Sequence, residues 1–224
     1  MHELFVRKVL TYMAIWIGTS TTVNKSWSNS ENWTDLGGGN SGVPTTWEGI
    51  TVNNDAVVDL PASYSSSGTL TVNGKATFNS ADSGSSLSFG SASFASGSAL
   101  TLNGVSATFG GEAKGTGTIT LENGASLKSS HGSEISPTVI FKQNTDATGA
   151  VLGNTLTIDF NGGTANQIPS IQNLSTYDKI VIAGTGSTAV TLSLTANGDG
   201  TYSLTGTIPS WGNKTFVISS SVTL

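Results

Sequence analysis

Cysteine is absent from this chain, arginine occurs once, at Arg7, and there are 5 prolines in 224 residues. Without cysteine there is no disulfide framework, no thiolate nucleophile and no cysteine-based zinc site. Charge is scarce too: Asp, Glu, Lys and Arg make up 10% of the residues, where about a quarter is usual. Solubility must therefore come from Ser, Thr, Asn and exposed backbone. A formal net charge of −5 with a single arginine offers almost nothing to a phosphate backbone, so no nucleic-acid partner is expected. The apolar run within residues 1–17 is shorter than the ~20 residues of a membrane-spanning helix, and no transmembrane segment is expected.

What remains is a chain of Gly, Ser, Thr and Asn, with 28 glycines. Such a composition suits disorder when apolar residues are sparse, but here Val, Leu, Ile and Phe recur at strand spacing. Thr69-Leu70-Thr71-Val72-Asn73-Gly74-Lys75-Ala76-Thr77-Phe78 returns as Ala99-Leu100-Thr101-Leu102-Asn103-Gly104-Val105-Ser106-Ala107-Thr108-Phe109. A third copy, Thr118-Ile119-Thr120-Leu121-Glu122-Asn123-Gly124-Ala125-Ser126-Leu127, carries one extra residue before the turn. Each copy is two alternating apolar and polar strands joined at Asn-Gly, and period-two alternation marks a half-buried strand. The series Leu70, Leu87, Leu100, Ile119, Val139 steps by roughly one short solenoid coil of about 20 residues. Asn-Gly is also the strongest signal for a two-residue hairpin, so an antiparallel β-sandwich is the alternative. The density of small residues, which suits close stacking of coils, favours the solenoid.

Residues 1–17 begin with charge and turn apolar, the outline of a secretory signal, although Glu3, Thr11 and Tyr12 depart from it. The other reading makes this segment a short helix or strand capping one end of the fold. Trp16-Ile17-Gly18, Ser26-Trp27-Ser28-Asn29-Ser30-Glu31-Asn32-Trp33, Gly42-Val43-Pro44, Ile50-Thr51-Val52 and Ala56-Val57-Val58-Asp59-Leu60 follow in order. Over residues 16–60 this pattern resembles the opening coils of bacterial secreted β-solenoid passengers, of the autotransporter-associated and exosortase-sorted kind. The resemblance implies a non-catalytic protein, extracellular or on the bacterial cell surface, and carries no enzymatic activity. Passengers of that kind are usually far longer, which would make this chain a fragment, a short unit or a distant relative.

After Phe141 the strands become longer and more apolar, as in Thr155-Leu156-Thr157-Ile158-Asp159-Phe160 and Lys179-Ile180-Val181-Ile182. Pro169 excludes a central strand around it. Residues 189–206, turning at Asn197-Gly198-Asp199-Gly200, read as a hairpin, and Lys214-Thr215-Phe216-Val217-Ile218 as a closing strand that protects the last edge.

Catalytic constellations are thin. Asp55 and Asp59 are the close carboxylate pair of the ladder, and on a strand they would lie about 13 Å apart, too far for a retaining glycosidase pair. His131 and His2 have no nucleophile elbow beside them, and two histidines without cysteine make no transition-metal cluster. Asn197-Gly198-Asp199-Gly200 lacks the later acidic ligands of a calcium loop. No catalytic residue, metal or cofactor is expected.

The aromatics have functional reach. Trp16, Trp27, Trp33 and Trp47 lie close in sequence while Trp211 stands alone. Exposed tryptophan faces bind sugar rings and interfaces; buried ones would plug the open end of a solenoid. Trp27, Trp33 and Trp47 are thus the candidate site residues: an exposed coplanar row favours glycan binding, and burial favours a cap.

The sequence therefore predicts one continuous all-β domain, a right-handed parallel β-solenoid. Residues 1–49 form an amino-terminal aromatic cap and first coil, 50–145 the ladder, and 146–224 the last coils with capping antiparallel strands. The expected role is structural or adhesive, with a cell-surface glycan or further copies of the chain as partner, and self-assembly wherever a terminal edge is left open. A carbohydrate-binding or polysaccharide-degrading β-helix is one alternative, and a phage tail-fibre segment, which predicts a trimer, is another.

Overall fold

The computed structural model describes residues 13–19, 21–22, 24–36, 42–80, 84–130, 135–159, 169–175, 177–183, 191–196, 202–207 and 216–219. They form parallel strands stacked coil on coil, a β-solenoid of about five turns. Buried and partly exposed positions alternate along most strands, as in Ala56–Leu60 and Ala99–Asn103, whereas Gly49–Val52 is buried throughout. Parallel sheets in α/β proteins are covered on both faces and lose that alternation. Here the outside is left largely uncovered, so the period of two survives in most strands.

Hydrogen-bonded register resolves each coil into three short faces. On the first, Leu87, Ala107, Leu127, Leu156 and Ile180 stand in one inner column. On the second, Ile50, Leu70, Ala92 and Ala113 do so. On the third, Ala56, Ala76, Leu100, Ile119, Val139 and Ile171 do so. All are buried, and a fully buried Leu or Ile contributes about 1.5–3 kcal/mol relative to exposure.

Two long strands, Ser63–Val72 and Ser86–Phe94, bend from the first face onto the second, with a register shift between Ser66 and Thr69. Glycine makes the bend possible. A Cβ on Gly68 would lie 2.5 Å from the Gly49 amide nitrogen, and one on Gly90 would lie 2.1 Å from the Ser67 carbonyl oxygen. Successive coils approach at this corner more closely than any side chain allows.

The recurring Asn-Gly phrase proves to be corner chemistry rather than hairpin chemistry, which removes the antiparallel sandwich. Its phase also differs between copies. Asn73-Gly74 leads from the second face to the third, between Ser63–Val72 and Lys75–Ser80. Asn103-Gly104 and Asn123-Gly124 lead from the third face back to the first. Likewise Leu100, Ile119 and Val139 share a column, whereas Leu70 and Leu87 lie on two other faces. The extra residue of the third copy, Glu122, takes the register of Asn103. Asn123 then absorbs the insertion with φ of 57°, followed by Gly124 at 75°.

Both ends of the stack carry antiparallel strands. Met13–Trp16 runs parallel to Gly49–Val52, and Trp33–Thr34 pairs with its other edge in the antiparallel sense. The edge of Ala56–Leu60 is covered where the Trp27 amide donates to the Asp59 carbonyl (2.8 Å) and the Asp59 amide to the Lys25 carbonyl (2.8 Å). At the far end Phe216–Ser219 pairs antiparallel with Lys179–Ala183. The hairpin of Thr191–Ala196 and Tyr202–Thr207 lies against Ile171–Gln172. Covered edges resist strand addition; among the described residues the outer edges of the first and last strands of the longest sheet, Trp33–Thr34 and Phe216–Ser219, carry no paired strand. Among the described residues no helix is long and apolar enough to cross a membrane.

Candidate functional site

Three of the amino-terminal tryptophans form the end plug. Trp16, Trp27 and Trp33 are 2%, 3% and 6% exposed. Trp33 packs edge-on against both others, with ring centroids 5.0 Å from Trp16 and 4.7 Å from Trp27. The Trp33 indole N–H donates to the Trp27 carbonyl (2.8 Å). Tyr64 continues the stack, 4.5 Å from Trp27 and 5.8 Å from Phe89, and so joins the plug to the inner column. The loop beneath is stapled by Asn32, whose side-chain amide donates to the carbonyls of Asn24 (2.9 Å) and Ser26 (3.0 Å). Trp27 and Trp33 therefore belong to the cap and present no sugar-stacking row.

Trp47 has the opposite fate, at 80% exposed. Its turn is nonetheless firmly built. The Glu48 carboxylate accepts from the Thr45 amide (2.6 Å), the Tyr64 hydroxyl donates to the Thr45 carbonyl (2.9 Å), the Ser66 hydroxyl donates to the Glu48 carbonyl (2.6 Å), and the Ser67 amide donates to the Thr46 carbonyl (3.2 Å). Partial burial, with the Glu48 charge adding to it and the Ser66 hydrogen bond opposing, pushes the Tyr64 phenol up to about 12. A tightly held turn thus carries one bare indole at the head of the stack.

Below the Gly42-Val43-Pro44 turn lies a cavity of about 420 Å³, lined by Ser30, Glu31, Trp33, Thr34, Asp35, Leu36 and Gly42. A short 3-10 turn, Ser30–Asn32, builds one side; the Asn29 side chain caps it by accepting the Glu31 amide (3.2 Å). Asp35 holds φ of 56° at the other side. Sequence reasoning passed over Glu31, Asp35 and Tyr64. The carboxylates were visible beside the Asn-Trp phrase, but only the fold brings them to one cavity.

Along the corner between the third and first faces runs a ladder of side-chain amides. Asn79 donates to the Asp59 carboxylate (3.0 Å), Asn103 to the Asn79 side-chain carbonyl (2.9 Å), and Asn123 to that of Asn103. Glu122, standing in register with Lys142, pairs with its ammonium at 2.6 Å. Further on, the inside of this corner becomes polar. Asn154 and Asp178 are fully buried; the Asp178 carboxylate accepts from the Asn154 amide (2.8 Å), the Ser175 amide (2.9 Å) and the Ser175 hydroxyl (2.6 Å). These groups satisfy coil backbone.

Asp55 sits exposed before the strand Ala56–Leu60, and Asp59 is engaged in the amide ladder, so the pair does not converge. His2, His131, Trp211 and Asn197-Gly198-Asp199-Gly200 lie outside the described residues. Among the described residues no group of three or more His, Cys, Asp or Glu is placed to hold a metal ion. No family model matches the chain, and no curated protein or solved structure matches it either.

Proposed function

We propose that this protein is a non-catalytic surface scaffold, structural or adhesive, built as a β-solenoid segment of the kind found in secreted or autotransported bacterial passengers. The observation that carries the reading is the outer surface. Ser63, Ser86, Ser106, Ser126 and Thr155 stand in register along the first face, as do Thr77, Thr101 and Thr120 along the third. Rows of short uncharged hydroxyls over a largely apolar column give a rod whose shape barely depends on salt or pH. Such a rod is fitted to hold a binding element away from an anchor.

The test is location in the native host. Brief protease treatment of intact cells, followed by mass spectrometry of released peptides, should yield peptides of this chain from the outside. Recovery of the chain only after lysis contradicts the reading. A second reading, glycan binding, is favoured by the exposed Trp47 and the cavity beside the cap.

A further inference from the structure

We propose that Asn123-Gly124 is a site of spontaneous covalent modification, at which the folded protein loses ammonia and the asparagine becomes aspartate or isoaspartate. Asparagine is chemically labile, most of all before glycine, which has no Cβ to shield its own nitrogen. Among the described residues three corners of the stack carry the pair: Asn73-Gly74, Asn103-Gly104 and Asn123-Gly124. In sequence they are equivalent, and the fold separates them. The Gly104 amide donates to the Glu122 carbonyl (3.0 Å), and the Asn103 side chain is engaged at both ends, donating to Asn79 (2.9 Å) and accepting from Asn123. Asn73-Gly74 is clamped between coils. The Asn73 amide donates to the Val52 carbonyl (2.8 Å), its side chain donates to that of Asn53 (2.8 Å), and the Gly74 carbonyl accepts from the Ala99 amide (3.1 Å). A Cβ on Gly74 would lie 2.7 Å from the Asn53 carbonyl oxygen, so this corner has no room to turn.

Asn123-Gly124 is the open corner. Gly124 is exposed, and a Cβ there would have the Leu152 Cβ as its nearest contact, at 3.9 Å. Among the described residues the Gly124 amide donates to no group, and the Asn123 side-chain carbonyl accepts from none. The adjacent Glu122 charge, which would oppose an anionic glycine nitrogen, is neutralised by the Lys142 ammonium at 2.6 Å. The chemistry balances with water and base alone. Base removes the Gly124 amide proton, the nitrogen attacks Cγ of Asn123 to close a cyclic imide, and the Cγ–Nδ2 bond breaks as ammonia leaves with a proton from solvent. Water then opens the imide at either of its carbonyls, giving aspartate or isoaspartate. Both products put a carboxylate, which only accepts, where the Asn123 amide donates to Asn103, so the end rung of the ladder is lost. Isoaspartate also lengthens the backbone by a methylene between Glu122 and Gly124, just ahead of the strand Ser126–Ser129.

The experiment is peptide mapping of the purified full chain after timed incubation, folded, in mildly alkaline buffer well below its unfolding midpoint. Trypsin cleaves after Lys75, Lys114 and Lys128, so the three pairs fall in separate peptides. Mass spectrometry reads the conversion of amide to acid, and isoaspartate-specific carboxyl methylation separates the two products. Asn123 should convert at least about tenfold faster than Asn103 or Asn73, the effect of hydrogen bonds that those pairs must break and this one need not. In concentrated urea, with the fold gone, the three rates should draw together, which marks the ranking as a property of the structure. Two results overturn the proposal: a folded-state rate at Asn123 no higher than at Asn103 or Asn73, or an Asn123 that stays intact in the folded chain while it converts in urea. Neither result bears on where the protein is displayed, so the cell-surface test stands or falls separately.

Discussion

Replacing one glycine of the bend while sparing its near neighbour tests the stacking of coils against simple loss of glycine. Neither Gly90 nor Gly110 has left-handed φ, so alanine meets no backbone strain at either place. A Cβ at Gly90 would sit 2.1 Å from the Ser67 carbonyl oxygen of the preceding coil, and one at Gly110 would sit 3.6 Å from the nearest atom, the Phe89 carbonyl oxygen. The first is an impossible contact between two backbones, with no rotamer to relieve it, and the second is ordinary contact. Relief at Gly90 requires the coils to part by about 1 Å against a strand spacing of about 4.8 Å. That strains the neighbouring ladder bonds, each contributing about 1 kcal/mol net, in addition to the ~1–3 kcal/mol of overpacking. Gly90→Ala should therefore cost about 3–4 kcal/mol, and Gly110→Ala should stay within about 0.5 kcal/mol of the parent. With an m-value of about 3 kcal/mol/M in urea for a chain of this size, the Gly90→Ala midpoint falls by about 1 M. Circular dichroism and tryptophan fluorescence recorded together check that unfolding is a single transition. Equal midpoints for the two variants would refute the reasoning.

Four other outcomes follow from the same geometry. Trp33→Ala removes the hub of the cap and should cost about 3–5 kcal/mol, whereas Trp47→Phe changes stability by less than about 0.5 kcal/mol yet deletes a component of emission readily quenched by iodide. Tyr64 should titrate near 12 instead of 10.0 in absorbance at alkaline pH, and Tyr64→Phe should abolish that step. Since its folded value is raised, the stability it contributes is complete below the ordinary phenol range and disappears as pH rises through 12; a parent titration identical to that of Tyr64→Phe contradicts this. Asp146, whose carboxylate accepts from the Thr148 hydroxyl and from the Thr148 and Ala150 amides, is held below the usual carboxylate range. Its turn should hold at neutral pH and loosen only as pH falls through that lowered value, as carboxyl NMR shifts would show.

Alternation was legible throughout the ladder because an inner column forces it: Leu100 and Leu102, Ile119 and Leu121 point inward in register. Phase was not. Asn-Gly serves a hairpin and a solenoid corner equally well, since both need a tight reversal of direction, and the identity of the next strand's partner is absent from the local phrase. The same limit separated the tryptophans. Trp27 and Trp33 were grouped with Trp47 by proximity in sequence, but burial depended on Tyr64 and Phe89 arriving from later coils. The bend was equally hidden, because Gly68 and Gly90 look like interruptions of a strand until the approach of the preceding coil is known. The amide ladder of Asp59, Asn79, Asn103 and Asn123 rests on steps of unequal length, which masks it from any search at fixed period.

The parallel stacking of coils can be probed directly because the chain has no native cysteine. Thr101 and Thr120 are register partners in adjacent coils, at a strand spacing of about 4.8 Å that lies within the ~4.4–6.8 Å range a disulfide spans. Thr77 and Thr120 lie two coils apart, about 9.6 Å, beyond its reach. Mild oxidation of Thr101→Cys/Thr120→Cys should give a reducible intramolecular crosslink in nearly all molecules, and Thr77→Cys/Thr120→Cys should give none. Crosslinking of the second pair, or failure of the first, would contradict the stack on which the scaffold reading stands.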